Sequence, residues 1–191
     1  AQAARFRFDH HRRQFVVRRY ARRAILADYL GAAPRELRFM QGGFGKPSLR
    51  DARLEYNATH SEDLALLAVS GERPVGIDVE RVRGLGTDYE WLSATERERV
   101  RLLAPEDRTA AALRLWTRKE AWVKALGVGV GALDDGAGPA GPGEAARAPA
   151  LTIVDCDPCP GYVASLAVPF PRPVRLHLHW TASHALAHAS S

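Results

Sequence analysis

Two stretches of helical periodicity, each followed by short strand-like runs, do most to limit the folds open to this 191-residue chain. From Arg12 to Leu30 the apolar positions Phe15, Val16, Ala24, Ile25, Leu26 and Leu30 recur at approximately helical spacing, and Gly31 is a natural stop. Residues 94–126 carry the second helical stretch, interrupted near Pro105 and closing in the Ala-rich run "TAAALRLWTRKEAWVKAL". Between them "DLALLAVS" and "RPVGIDVE" read as strands joined by the turn Ser70-Gly71-Glu72-Arg73, and the preceding "GGFGKPSL" reads as loop from its glycines and proline. After a Gly-, Ala- and Pro-rich loop at 127–150, three short strands are expected around "LTIV", "GYVASLAV" and "VRLHLHW". The order helix, strands, helix, strands predicts an α+β fold of two similar halves, without a sequence repeat to prove duplication. A hydrophobic content of 46% over this length supplies one substantial core or two small packed subdomains and argues against disorder.

Charge is unevenly spread. Residues 1–50 hold twelve Lys/Arg against three Asp/Glu, so the amino-terminal part is strongly basic while the remainder is acidic. The pairs Arg12-Arg13, Arg18-Arg19 and Arg22-Arg23 suit nucleic acid, an anionic membrane or the phosphates of a small ligand, and equally a solvated helix face. No apolar run approaches the length of a membrane span, which predicts a soluble chain. The chain begins at Ala1, without methionine and inside an arginine-rich pattern, so further residues are expected to precede it. Cys156 and Cys159 in "CDPC" make no disulfide framework, which favours a reducing, cytoplasmic compartment; a redox pair or half a zinc site are the alternatives, and no second Cys pair completes four thiolates.

Within "PVGIDVE", strand alternation puts Val75, Ile77 and Val79 on one face and Gly76, Asp78 and Glu80 on the other. The two carboxylates then lie about 7 Å apart and repel unless a cation joins them; Mg²⁺ suits such a pair, and a solvent-facing edge paired with Arg81 and Arg83 is the plainer alternative. On the second helix Trp116, Glu120 and Lys124 share one stripe at i, i+4 and i+8, and the indole makes that stripe at least half buried. The chain has twenty-four arginines and only three lysines, Lys46, Lys119 and Lys124. Where arginine serves every ordinary need for charge, a retained lysine marks a place for a compact, mobile ammonium, such as one that follows a pyrophosphate. His60, after Asn57 and Thr59, is either a phosphate donor or a capped turn residue, and Lys46 sits between a glycine and a proline in a loop that could lie close to a ligand.

These motifs, taken in order, resemble the phosphopantetheinyl transferases of the Sfp type. "GKP" at Gly45, Lys46 and Pro47, "GIDVE" at Gly76 to Glu80, and "WTRKEAWVK" at Trp116 to Lys124, matching W-x-x-K-E-A-x-x-K, are the family's three stretches, and "YNATHS" at Tyr56 to Ser61 loosely matches F-N-x-S-H-S. Together they span about half of the chain. The resemblance implies the two-half phosphopantetheinyl transferase fold, with residues 1–83 and 84–191 as the halves, and a monomer. It implies transfer of the 4'-phosphopantetheine arm from coenzyme A to a serine of an apo acyl, polyketide or peptidyl carrier protein. By the same resemblance Asp78, Glu80 and Glu120 hold Mg²⁺ or Mn²⁺, Glu120 or a water acts as base, Lys124 neutralises developing charge and Lys119 supports the site. Thr59 and His60 contact the coenzyme, Gly45 to Pro47 lie near adenine, and Arg13 and Arg23 meet the 3'-phosphate. Tyr56, Ala58 and Thr59 depart from the family pattern, and members commonly carry a further segment ahead of the first long helix, on which coenzyme affinity and solubility would depend.

Residues 87–103, with Trp91, Leu92, Arg97, Arg99 and Arg101, are the expected carrier-docking surface, an ordinary amphipathic helix being the other reading. A coenzyme A-binding relative without activity and a nucleic-acid module on the arginine helix remain as other functions; the latter leaves the three carboxylates unexplained. The "GVGVG" run at Gly127 follows a helix instead of opening one, so it lacks dinucleotide-binding geometry. His177 with His179 and His184 with His188 could hold a metal, although strand alternation with Leu176, Leu178 and Trp180 facing a core explains the first pair.

Overall fold

The computed structural model describes residues 9–42, 45–50, 53–71, 73–84, 89–128 and 151–168. The expected strand at 174–180, its histidines, and all but the first two residues of the 127–150 loop lie outside them. Two compact units divide at Arg38 and Phe39. The first is built on α1 (Asp9–Leu30), which buries Leu26 and Ala27 and ends at Gly31. Beyond it Arg23 Nη1 donates to the carbonyls of Pro34 (2.6 Å) and Leu37 (2.9 Å), fastening a single 3-10 turn to the helix.

The second unit is mixed α+β. A short hairpin joins β1 (Phe39–Gln41) to β2 (Pro47–Leu49), so the expected loop "GGFGKPSL" ends in a strand, paired through Gln41 with Pro47 and Phe39 with Leu49. A second hairpin joins β3 (Leu54–Ser61) to β4 (Leu64–Gly71) in full register from Leu54 with Gly71 to Ser61 with Leu64. The third sheet has the order β5-β7-β6, all antiparallel, from β5 (Gly76–Arg81), β7 (Tyr162–Val168) and β6 (Thr152–Cys156). The expected strands "DLALLAVS" and "RPVGIDVE" both form, but they lie in different sheets. In the structure the first pairs with "YNATHS", which is strand throughout, and the second with β7 about eighty residues away in sequence.

α2 (Ala94–Arg101) begins with a reciprocal capping box: Glu96 N–H donates to Ser93 Oγ at 3.2 Å, and Ser93 N–H donates to Glu96 Oε2 at 2.7 Å. α3 (Pro105–Leu126) starts on proline, carries Glu106 and Asp107 in its first turn, and stops at Gly127, whose left-handed φ of 67° turns the following Val128 N–H back to the Val123 carbonyl at 3.3 Å. It lies across the face of β5 and β7 that carries Gly76, Asp78, Ser165 and Ala167, where Ala121 and Ala125 meet Ala167. Val75, Ile77 and Leu166 pack on the opposite face with Leu66 and Ala68 of β4. Both faces of β5 are therefore covered, and its carboxylates are not on a solvent-facing edge.

Gly76 sets how near α3 can come. A Cβ at this position would stand 1.9 Å from the Ala121 carbonyl oxygen and 2.4 Å from the Ala125 nitrogen, and these are backbone atoms that cannot swing aside. Gly76→Ala should therefore cost at least about 3 kcal/mol, the upper end of ordinary overpacking. Urea unfolding checks this, and a loss well under about 1 kcal/mol would mean that α3 moves freely on the sheet.

Candidate active site

Asp78, Glu80, Glu120 and Lys124 meet between β5 and α3. Asp78 is almost wholly buried; its Oδ1 accepts the Lys124 ammonium at 2.5 Å and the Thr59 hydroxyl at 3.0 Å. Lys124 also stands 3.8 Å from Glu120 Oε2, one helical turn earlier on α3. Glu80 accepts the Ser61 hydroxyl at 2.9 Å. Asp78 Oδ2 is buried and has no hydrogen-bond partner.

Burial is the chief reason that all three carboxyls are pushed above their ordinary values. Lys124 pulls each of them back, and so do Thr59 for Asp78 and Ser61 for Glu80. The carboxylates also raise one another: Asp78 acts on Glu80, and both act on Glu120. Among the described residues no three His, Cys, Asp or Glu side chains converge into a ready cation cage. The donor set nevertheless fits a hard divalent ion, with three mutually repelling carboxylates on one face and one of their oxygens orphaned and buried.

The other expected residues fall in different places. Gly45, Lys46 and Pro47 line a cleft of about 230 Å³ together with Asn57, Ala58, Val123, Lys124, Gly127 and Val128, so the "GKP" loop and the end of α3 share one opening. The Lys46 ammonium donates to the Val75 (3.3 Å) and Ala125 (3.4 Å) carbonyls and stands 3.9 Å from Glu55, tying the carboxy-terminal end of α3 to the start of β5. Thr59 points inward at Asp78, whereas His60, its neighbour on the strand, is exposed. Lys119 lies away from the carboxylates: its ammonium donates to Glu96 Oε2 at 2.6 Å, joining α3 to the cap of α2. Arg13 is exposed on α1 and Arg23 makes the two carbonyl bonds given above, both in the first unit.

Sequence reasoning missed two supporting sets. Asn57, Thr59 and Ser61 alternate along β3 and all bond to β5; the period-two polar pattern in "YNATHS" was the available signal. On the sheet side of α3, buried Thr117 shares a 2.9 Å hydrogen bond with buried Ser165, whose hydroxyl donates to Asp155 at 3.1 Å, and Asp155 in turn receives Arg118. No pattern along the sequence announces that chain of contacts, since its members come from three elements.

A profile of the 4'-phosphopantetheinyl transferase superfamily matches residues 74–138, the stretch holding Asp78, Glu80 and Glu120. The 4'-phosphopantetheinyl transferase HetI of Nostoc sp. is 37% identical over 180 residues, covering 88% of this chain and 76% of HetI. The 4'-phosphopantetheinyl transferase psf-1 of Bacillus pumilus is 31% identical over 68% of this chain and 57% of its own length, and AcpT of Salmonella typhimurium is 35% identical over 56% and 57% respectively. The chain thus spans little more than half the length of the last two. It belongs to the 4'-phosphopantetheinyl transferase superfamily.

Two outcomes follow from the ion pairs. In Lys124→Met the carboxyls of Asp78, Glu80 and Glu120 should titrate higher than in the parent, because the cation that pulls them down is gone; carboxyl ¹³C chemical shifts read this directly. Glu96 behaves oppositely. Burial raises its pKa, but the bonds from Lys119 and the Ser93 N–H outweigh that and hold it below the usual glutamate range. A depressed carboxylate stabilises the fold above its unfolded pKa and loses that contribution as pH falls through the folded one. Lys119→Met should accordingly cost roughly 3 kcal/mol at neutral pH, with a smaller difference from the parent in acid, measured by urea unfolding at several pH values.

Proposed function

We propose that this chain moves the 4'-phosphopantetheine arm of coenzyme A onto a serine of an apo acyl, polyketide or peptidyl carrier protein, releasing adenosine 3',5'-bisphosphate. The observation that carries this reading is the partly buried face where three carboxylates and Lys124 meet beside the cleft of the "GKP" loop. Asp78, Glu80 and Glu120 are the residues that would hold Mg²⁺ or Mn²⁺, and such an ion supplies charge neutralisation at the coenzyme pyrophosphate. Glu120, or a water, takes the proton of the attacking serine hydroxyl as the serine oxygen bonds to the β-phosphorus. Lys124 faces the leaving oxygen as the phosphorus–oxygen bond breaks. Gly45, Lys46 and Pro47 border the coenzyme and exposed His60 meets its phosphates; for Arg13 and Arg23 a 3'-phosphate role rests on the family resemblance alone.

The chain is read as a cytoplasmic monomer of two pseudo-symmetric halves, 1–83 and 84–191. No helix among the described residues is long and apolar enough to cross a membrane. The carrier-docking surface within 87–103 narrows on exposure. Residues 87 and 88 lie outside the described residues, Leu92 is core, Trp91 stacks edge-on against Trp116, and Arg97 is spent on the Leu92 carbonyl at 2.7 Å. Arg99, Arg101, Leu102 and Leu103 stay outward, with Leu102 79% exposed, and offer basic and apolar contact to an acidic carrier.

Incubation with fluorescent coenzyme A and a panel of apo carriers, with Mg²⁺ or with EDTA, tests the reading. Label on a carrier serine that requires Mg²⁺ and falls at least about 100-fold in Glu120→Gln is the expected result. Coenzyme A binding without label on any carrier would leave a binding protein that transfers nothing.

A further inference from the structure

Ser61 is the last residue of β3, and its hydroxyl is engaged on two sides. It accepts the Arg81 N–H at 3.1 Å, and its single proton goes to Glu80 Oε2 at 2.9 Å. Two residues earlier the Thr59 hydroxyl donates to Asp78 Oδ1 at 3.0 Å, and two earlier again Asn57 Oδ1 accepts the Ile77 N–H at 2.9 Å. β3 therefore runs alongside β5 in the same direction, and its side chains at 57, 59 and 61 take the place of a main-chain ladder. A strand places alternate residues on one side, so a single register delivers one hydroxyl to each of the two carboxylates. Each hydroxyl engages one carboxylate oxygen, and at Asp78 the second oxygen is left buried without a partner.

We infer that Ser61, together with Thr59, is a positioning residue: the two β3 hydroxyls fix the rotation of the Glu80 and Asp78 carboxylates so that their remaining oxygens face a bound divalent cation. The inference rests on the transferase reading above and asks nothing of Ser61 toward substrate. Two neighbouring carboxylates on one strand repel and would rotate apart if unrestrained; a donor on one oxygen of each removes that freedom. Hydrogen-bond partners of this kind, one step behind the ligands, change cation affinity by about 10- to 100-fold when removed. If Ser61 served only to anchor the end of the β3–β4 hairpin through the Arg81 N–H, its loss would lower the melting temperature and leave cation affinity unchanged.

Mn²⁺ binding to the full chain, followed by electron paramagnetic resonance without coenzyme, separates these. Ser61→Ala is expected to bind Mn²⁺ about 10-fold more weakly and Thr59→Val to weaken it as well, whereas Ser61→Thr, which keeps the hydroxyl, restores affinity. Melting curves without metal show whether Ser61→Ala remains folded; if it does not, Thr59→Val, which removes the other hydroxyl, carries the test, and parental affinity in that folded variant overturns the inference. Parental affinity in folded Ser61→Ala overturns the inference alone. A parent chain that binds no Mn²⁺ overturns both the inference and the metal-dependent reading on which it rests.

Discussion

Everything in the site depends on the near contact of two backbones at Gly76. Helices usually rest on sheets through their side chains; here α3 settles with Ala121 and Ala125 directly over a glycine and against Ala167, so the shortest side chains set the separation. Only at that separation can side chains as short as those of Asp78 and Thr59 join the Lys124 ammonium in one hydrogen-bonded group. All three lysines of the chain attach α3 to its surroundings: Lys46 to the β5 start, Lys119 to the α2 cap and Lys124 to Asp78. A compact ammonium fits these narrow places, where a planar guanidinium would need more room.

The same closeness makes the site costly. Burial raises the proton affinity of all three carboxylates, Asp78 adds to that of Glu80 and both add to that of Glu120, and one ammonium offsets only part of this. The surrounding structure supplies the compensation. The Glu96 oxygen that closes the α2 capping box also receives Lys119, and the Thr117, Ser165, Asp155 and Arg118 chain pins the sheet side of α3 to β7 and β6. Such supports are what allow a functional face to remain poorly satisfied without the helix shifting to relieve it.

Much of this was legible in the sequence, for physical reasons that can be separated. Helical periodicity and Pro105 gave α2 and α3, and strand alternation put Asp78 and Glu80 on one side of β5. The Trp116, Glu120 and Lys124 stripe is half buried, as the indole required. What escaped was set by distant partners. β3 does not read as a strand from sequence because its inward positions hold Asn57 and Thr59, polar residues whose burial makes sense only once β5 lies beside them. β5 pairs with β7, far along the chain, and local turn signals carry no information about such a pairing. Lys119 is adjacent to Glu120 in sequence, yet a helix turns about 100° per residue, enough to aim it at α2 instead of at the carboxylates.

A helix seated on one glycine also has a fixed registry, and this limits how the chain can change in length. Adding or removing a single residue between Pro105 and Glu120 would either turn Glu120 about 100° from Asp78 or carry a larger side chain onto Gly76. Length variation must then be absorbed before Pro105 or after Gly127, outside the helix. Variation in side chains can proceed residue by residue on α3, while variation in chain length is confined to the segments that α3 joins.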